Sequence, residues 1–372
     1  MRVAIAHDYL NQYGGAERVL EAIMEIFPKA PIYTLLYDEV RTLGRFQKYD
    51  VRPSFLNRFE MARNHHRRFI PIFPLVQELT RLDDDFDLII SSSAGFAKGI
   101  RRGKARHISY CHTPLRYAWE PDYLNGYSGF GNPLMKILAK PALAALRWWD
   151  FNAARNVDVF LANSEFIANR IKNYYKRDAL VLHPPVDTKK FYYNPKSYQL
   201  KAKSYFLMAG RFLHYKGFDF GIQAFNHLKL PLKIVGAGPE FVNLQKMAKS
   251  PLIEFIPFVD SAAKLRDLYS NASALIFPQV EDFGLVAAEA QACGLPVLAY
   301  RGGGAREIVQ EGKTGIFFDR QTPEAIIEAV LKFSKMCFRR AGISKTANRF
   351  SKESFKKKFM ENIISVMDNK MI

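Results

Sequence analysis

Two carboxylates bracket a short turn in Glu281-Asp-Phe-Gly-Leu-Val-Ala-Ala-Glu289, and the elements around them set what the pair can do. The apolar run Ala274-Leu-Ile-Phe277 reads as a buried strand that Pro278 ends, and Leu285 to Ala292 has the small, helix-favouring composition of a close-packed helix. That spacing places Glu281 in the loop and Glu289 inside the helix. The N–H groups around Phe283, Gly284, Leu285 and Val286 then open a helix without intrahelical partners, and the helix dipole makes them attractive to phosphate or electron-rich oxygen. Carboxylates beside such a spot suit hydrogen bonds from sugar hydroxyls. A bare pair of acids at this separation is what many solvated helix faces carry. The Asp-Phe-Gly-Leu-Val interior and the neighbouring motifs separate this stretch from those.

Upstream, Ser204-Tyr-Phe-Leu-Met-Ala209 reads as a strand running into Gly210-Arg211-Phe-Leu-His-Tyr-Lys216-Gly217, with an amphipathic helix following from Phe218 to Leu228. This places Arg211 and Lys216 on one loop at the carboxyl end of a strand, where open α/β sheets bind ligands. Arg offers a fork to phosphate oxygens and Lys a mobile point charge, so the two suit a departing diphosphate. The competing reading is two solvated cations in a chain with 54 Lys and Arg. Gly302-Gly-Gly304 follows the short strand Pro296 to Ala299 and permits close backbone approach before the next helix.

In the amino-terminal half, the strand Val3 to His7 leads to Gly14-Gly15-Ala-Glu17 and an apolar-periodic helix containing Val19, Leu20, Ile23 and Ile26. Two glycines at such a turn can expose backbone N–H groups to a diphosphate. A third glycine is absent, so this is no dinucleotide fingerprint, and a plain tight turn is the alternative. The strand His107 to Cys111 ends in His112-Thr-Pro-Leu-Arg-Tyr-Ala-Trp-Glu120. His112 sits just past that strand's carboxyl end, in a run dense in hydrogen-bonding and aromatic residues. Ser164 reads as a helix cap with Glu165 in the first turn.

Positioning these residues requires α/β architecture in both halves. Strands are expected near Val3–His7, Ile32–Leu35, Asp87–Ser91, His107–Cys111, Val157–Ala162 and Leu180–His183. A second series is expected near Tyr205–Ala209, Leu232–Val235, Ile253–Ile256, Ala274–Phe277, Pro296–Ala299 and Gly315–Phe318. Strands alternating with helices argue for parallel sheets, and 372 residues suffice for two cores. The Pro-Pro break at His183-Pro-Pro-Val-Asp187 marks a boundary between domains 1–186 and 187–350. A basic amphipathic helix, about 351–372, carries Phe355, Phe359, Ile363 and Val366 on one side. No targeting segment is visible: Met1-Arg-Val-Ala-Ile-Ala is a first strand with too short an apolar core.

The acid-x7-acid signature, the Gly-Arg/Lys-Gly loop and the His-Thr-Pro-x-Arg-Tyr-x-Trp run resemble the retaining glycosyltransferases of family 4, which have the GT-B fold. The His-Thr-Pro run is similar to that of bacterial polysaccharide and O-antigen mannosyltransferases. The resemblance spans nearly the whole chain in order. It implies two Rossmann-like domains facing each other across a cleft, with the final helix packing back onto the first domain. It assigns Arg211 and Lys216 to the donor diphosphate, Glu281 to the donor sugar, Glu289 to the ribose diol, and Gly14 and Gly15 to the donor side. By the same resemblance His112 falls near the donor sugar, Arg116 and Trp119 shape the acceptor side, and Gly302 to Gly304 resemble a second phosphate-side loop. It also implies front-face transfer without a metal or other cofactor. Asp83-Asp84-Asp85 reads as a solvated turn, not a ligand cluster.

A net charge of +18 calls for an anionic partner. No nucleic-acid recognition motif is present, and the basic residues do not interleave with aromatics on an expected sheet face. The basic segments Arg58–Arg68 and Arg101–Arg106 stand out, the first adjoining Phe69-Ile-Pro-Ile-Phe-Pro-Leu-Val76. That apolar stretch is too short and proline-broken to cross a bilayer but suits an anionic membrane surface. Three cysteines, Cys111, Cys293 and Cys337, lack paired spacing and suit a reducing compartment. The favoured expectation is a cytoplasmic enzyme, peripheral to the inner membrane, moving mannose from GDP-mannose onto a lipid-linked saccharide for cell-surface polysaccharide or O-antigen synthesis. Alternatives are a UDP-sugar donor, a sugar-nucleotide epimerase or hydrolase of the same fold, and a non-catalytic membrane- or nucleic-acid-binding protein.

Overall fold

The computed structural model describes residues 1–82, 85–120, 133–195 and 204–368, with the backbone alone for 133–137. Asp83 and Asp84 of the expected acidic turn lie outside the described residues, as does the end of the expected last helix beyond residue 368. The chain divides into two compact units, Met1–Pro185 with Phe355–Ile372, and Val186–Ser354.

The first unit is built on a seven-stranded sheet in the order β3-β2-β1-β4-β5-β6-β7, every pairing parallel. Its strands are β1 (Val3–His7), β2 (Ile32–Thr34), β3 (Val51–Pro53), β4 (Leu88–Ser93), β5 (Arg106–Cys111), β6 (Val159–Ala162) and β7 (Ala179–Val181). Its helices are α1 (Gly15–Met24), α2 (Glu60–Asn64), α3 (Phe73–Leu79), α4 (Arg116–Trp119), α5 (Pro133–Arg155) and α6 (Glu165–Tyr175). β1 and β4 are buried along their whole length, as strands of a parallel sheet covered on both faces must be. β3 was not anticipated: it is three residues long, ends in Pro53 and lies at the sheet edge, where a missing N–H is tolerated. β6 starts two residues later than expected, at Val159.

The second unit has a six-stranded parallel sheet in the order β10-β9-β8-β11-β12-β13. Its strands are β8 (Tyr205–Arg211), β9 (Leu232–Ala237), β10 (Ile253–Ile256), β11 (Ala272–Phe277), β12 (Val297–Tyr300) and β13 (Gly315–Phe318). The helices are α7 (Phe218–Leu228), α8 (Phe241–Met247), α9 (Ala262–Asn271), α10 (Leu285–Ala292), α11 (Ala305–Ile308), α12 (Pro323–Phe333), α13 (Arg340–Ala347) and α14 (Lys352–Met367), the last running on into the first unit. α10 is apolar nearly all round, with Ala287, Ala288, Ala290 and Ala292 buried in one core with Leu207, Leu275 and Val297. On α14, Phe355, Phe359, Ile363 and Val366 repeat at helical spacing and enter the core of the first unit beside Val3, Ile5 and Ile108.

Local capping matches the residue chemistry. The Ser164 hydroxyl accepts the Ile167 N–H at 3.1 Å and so starts α6. Ser164→Ala is expected to cost about 1 kcal/mol. Thermal unfolding should register that as a midpoint lowered by about 2–4 °C.

Each sheet has one point where the strand order reverses: between β1 and β4 in the first, and between β8 and β11 in the second. Crevices at the carboxyl ends of such strand pairs are where open α/β sheets take ligands.

Candidate active site

At the reversal point of the second sheet, β8 runs two residues further than expected and carries Arg211 as its last, exposed residue, so Arg211 belongs to the strand end and not to the loop. This extension is paired, Gly210 to Gly236 and Arg211 to Ala237 on β9. Phe212 turns into the core against Phe218 and Phe241, and a 3-10 turn over His214–Lys216 carries the chain to Gly217, whose φ of +66° opens α7. Lys216 is buried, and its ammonium forms an ion pair and hydrogen bond with Glu281 Oε1. The two residues lie in the segments that follow neighbouring strands, β8 and β11. Arg211, at the end of β8, is exposed.

The loop after β11 is fixed from several sides. Gln321 donates to the Pro278 carbonyl at 2.7 Å, and the Gly304 N–H donates to the Glu281 carbonyl at 2.9 Å. A Cβ at Gly303 would lie 2.3 Å from the Glu281 carbonyl oxygen, and one at Gly304 would lie 2.4 Å from Phe283 Cα. The close approach made by these two glycines is therefore to the Glu281–Phe283 loop of the protein itself. Gly284, at φ +107°, starts α10, and among the described residues the Leu285 and Val286 N–H groups have no acceptor. Phe283 is buried against Phe350. Glu289 lies inside α10 and is 3 % exposed. Arg211, Lys216, Glu281, Gly284, Leu285 and Val286 thus occupy one sheet edge, with a cation, an ion pair and a helix N-terminus.

The first sheet's reversal point gathers a different set. Gly14 caps α1, with its N–H donated to Glu17 Oε2 at 2.7 Å, and Gly15 is exposed in the first turn. His112 follows β5; its Nε2 lies 2.8 Å from Ser92 Oγ on β4, and its carbonyl accepts from Asn163 at 2.9 Å. Burial, with His7 nearby, pulls the His112 pKa down to about 3, so the ring is neutral. Burial likewise lowers His107, on β5, to about 4. Asp8, just after β1, is spent structurally: its carboxylate accepts the N–H groups of Ala94, Phe96 and Ala97.

Trp119 is tied into the fold of the unit. Its indole N–H donates to Asp150 at 2.7 Å and its ring stacks on Tyr174 at 4.7 Å. Asp150 also accepts from Tyr175 and pairs with the buried Lys98. Arg116, one turn away, is half-buried with its Nε directed at Thr113 Oγ1, 3.4 Å away. Sequence reasoning missed His7, Glu17 and Ser92; the available signals were a capping-box Glu three residues after Gly14 and a Ser triplet closing an otherwise apolar strand.

His107 and His112 bear on stability. Their folded pKa values lie below the ordinary value of about 6.5, so the unfolded chain binds more protons. Stability is fully present above about pH 6.5 and falls as pH drops toward 4 and 3, by about 1.4 kcal/mol per pH unit for each group. Urea unfolding from pH 7 to 5 should show this loss, and His107→Gln should remove part of the slope.

Elsewhere on the first unit, Phe55, Phe59, Met61, Ile72, Leu75 and Leu79 are exposed within the basic segment around α2 and α3. Among the described residues no helix is long and apolar enough to cross a membrane, and no group of three or more His, Cys, Asp or Glu is placed to hold a metal ion.

Two family models match successive parts of the chain: Glycosyltransferase Family 4 over residues 13–190 and Glycosyl transferases group 1 over residues 194–357. Among curated relatives, an uncharacterised glycosyltransferase of Methanocaldococcus jannaschii is 29 % identical over 54 % of this chain and 56 % of its own. A GDP-mannose-dependent alpha-(1-6)-phosphatidylinositol monomannoside mannosyltransferase of Mycolicibacterium smegmatis is 32 % identical over 47 % of this chain and 52 % of its own. The chain spans about half the length of these curated relatives. Two solved structures share the fold over nearly the whole of both chains. Sucrose-phosphate synthase of Thermosynechococcus elongatus has a TM-score of 0.74 at 16 % identity, covering 99 % of this chain and 100 % of that one. Anabaena HepE, solved with UDP and glucose, has a TM-score of 0.71 at 17 % identity, covering 98 % and 100 %. Two parallel-sheet, Rossmann-like units and these neighbours identify the fold as GT-B. With the two family models together covering residues 13–190 and 194–357, and mannosyltransferases among its relatives, the chain belongs to the family-4 glycosyltransferases.

Proposed function

We propose that this chain transfers a sugar from a nucleotide-sugar donor to a saccharide acceptor with retention of the anomeric configuration. The observation that carries the reading is the Lys216–Glu281 pair beside the N-terminus of α10, with Arg211 on the adjoining strand end. Cleaving the bond between sugar C1 and the diphosphate builds negative charge on the leaving group. Arg211, Lys216 and the Leu285 and Val286 N–H groups compensate it, so side chains and backbone supply the positive charge. Glu281 accepts from the donor sugar hydroxyls and Glu289 from the ribose diol. Neither carboxylate serves as a nucleophile, so retention follows from front-face attack. The acceptor oxygen bonds to C1 as the C1–phosphate bond breaks, and its proton passes to the departing phosphate oxygen. Gly15, exposed in the first turn of α1, presents its N–H to an anionic group, Gly14 shapes that turn with its own N–H held by Glu17, and His112 meets a sugar hydroxyl.

The favoured donor is GDP-mannose and the favoured acceptor a lipid-linked saccharide, supported by the name of the mycobacterial relative. A UDP-sugar is the second reading, supported by the UDP and glucose bound in the Anabaena neighbour. The exposed apolar residues among arginines around α2 and α3 support a peripheral site on an anionic cytoplasmic membrane face. Anionic vesicles should sediment with the chain and neutral vesicles should not, and Phe59→Ser with Leu75→Ser should weaken that binding several-fold; equal binding to both vesicle types ends the membrane assignment.

The donor is tested by thermal shift followed by product analysis. GDP-mannose near 100-fold above its Kd should add about 2.7 kcal/mol of stability, and NMR of the product should show the donor's own anomeric configuration. A shift with UDP-sugars alone transfers the assignment to them, and an inverted product refutes front-face retention.

A further inference from the structure

Behind His112 lies a chain of buried polar groups that the transfer reaction above does not use. His112 Nε2 is 2.8 Å from Ser92 Oγ, and Ser92 Oγ is 3.1 Å from His7 Nδ1. His7 Nε2 faces Glu17 Oε1 at 3.8 Å, an electrostatic contact, while Glu17 Oε2 holds the Gly14 N–H. The four side chains come from β1, β4, the end of β5 and the first turn of α1, and none is more than 9 % exposed. Tyr110 meets the His112 ring edge to face at 5.2 Å and fixes its plane. Among the described residues His112 Nδ1 has no hydrogen-bond partner, yet it is not sealed off as His107 Nδ1 is, so it is open to a ligand.

A hydroxyl has one proton, so Ser92 donates to one imidazole and accepts from the other. Only two directions of the whole chain are consistent. An ionised Glu17 carboxylate accepts only, and favours a proton on His7 Nε2. With that proton on Nε2 and none on Nδ1, His7 offers its Nδ1 lone pair to the Ser92 hydroxyl, and Ser92 Oγ takes the Nε2–H of His112. We propose that Glu17, His7 and Ser92 are positioning residues that hold the proton of the neutral His112 ring on Nε2 and present Nδ1 as a hydrogen-bond acceptor for a sugar hydroxyl. The acceptor role rests on the transferase reading; the proton relay does not. The Gly14 turn is coupled to the same carboxylate, since a Cβ at Gly14 would lie 3.3 Å from Glu17 Oε2.

The tautomer of a ring can be read directly by long-range nitrogen–proton NMR of the full chain labelled with ¹⁵N-histidine, with His112 assigned from the spectrum of His112→Gln. The wild type should show the Nε2–H form. Glu17→Gln keeps an oxygen for the Gly14 N–H but turns an amide N–H toward His7 Nε2. The relay should then reverse, leaving His112 as the Nδ1–H form although the substituted side chain does not touch it. A wild type with Nδ1–H, or an unchanged His112 tautomer in Glu17→Gln, overturns the relay. In transfer assays Glu17→Gln and Ser92→Ala should each lose about tenfold or more in kcat with the donor KM moved less than threefold, and Ser92→Thr, which keeps the hydroxyl, should stay within threefold of wild type. Full kcat in a Glu17→Gln enzyme whose tautomer has reversed refutes the acceptor role. Absence of transfer by the wild type refutes the transferase reading instead, and the NMR result still decides the relay.

Discussion

Lys216→Ala is expected to lower kcat by about 10²–10³-fold, the loss found when one preorganised donor to a developing anion is removed. Lys216 is a buried cation at the reversal point of the second sheet, and its three N–H donors allow it to hold Glu281 and a phosphate oxygen together. Arg211 does not replace it, because it is anchored at the end of β8 and points its charge from an exposed position. Glu281→Gln should also be severely impaired, since the amide keeps one acceptor but loses the charge that draws Lys216 across. If the two residues act as a unit, the double variant Lys216→Ala/Glu281→Gln will be no slower than the worse single one. Initial rates over a range of donor concentrations give all four kcat and KM values. A loss below tenfold for Lys216→Ala, or additive losses in the double variant, removes the pair from the leaving-group machinery.

The scaffold of this site was readable because its signals are local. Continuous apolar strands such as Val3–His7 and Ala274–Phe277 can only be buried on both faces, and Pro278 and Gly284 mark the strand end and the helix start. α7 and α10 fall at the residues that periodicity and composition indicate, and the apolar side of α14 enters the first unit's core. What local pattern cannot contain is pairing across the sheet. Lys216 and Glu281 meet over 65 positions of sequence, so a lysine read as a phosphate ligand and a glutamate read as a sugar ligand prove to be partners of each other. His7 and Ser92 look like interior strand residues until the parallel register of β1 with β4 sets them side by side. Trp119 was placed on the acceptor side by its motif, but Asp150, in a helix 31 residues later, takes its indole N–H. The glycines at 303 and 304 read equally well as a ligand cradle or as clearance for another loop, and the contact distances to Glu281 and Phe283 favour clearance.

Gly236→Ala is expected to be a severely disruptive single-methyl change on the second sheet. The extension of β8 that carries Arg211 is paired with β9 through Gly210 and Gly236, both at positive φ, +149° and +152°. A Cβ on Gly236 would fall 1.9 Å from the Gly210 carbonyl oxygen, so the two strands cannot keep their spacing. Neither atom belongs to a flexible side chain that can swing aside, and both main chains must move. A loss of about 4 kcal/mol is expected, in the range reached by strain and overpacking together. Gly312→Ala is the control: φ is +73° there, but no atom lies within 4 Å of the added methyl, so only the left-handed backbone cost of about 1–2 kcal/mol applies. Thermal or urea unfolding of the full chain separates the two, with the Gly236 variant melting several degrees below the Gly312 variant. The Gly236 variant should also lose transfer activity at temperatures where it remains folded, because separating the strands displaces Arg211, whereas the Gly312 variant should keep it. Equal stability of the two variants would mean that β8 and β9 part at their ends without cost, and that the placement of Arg211 does not depend on this glycine pair.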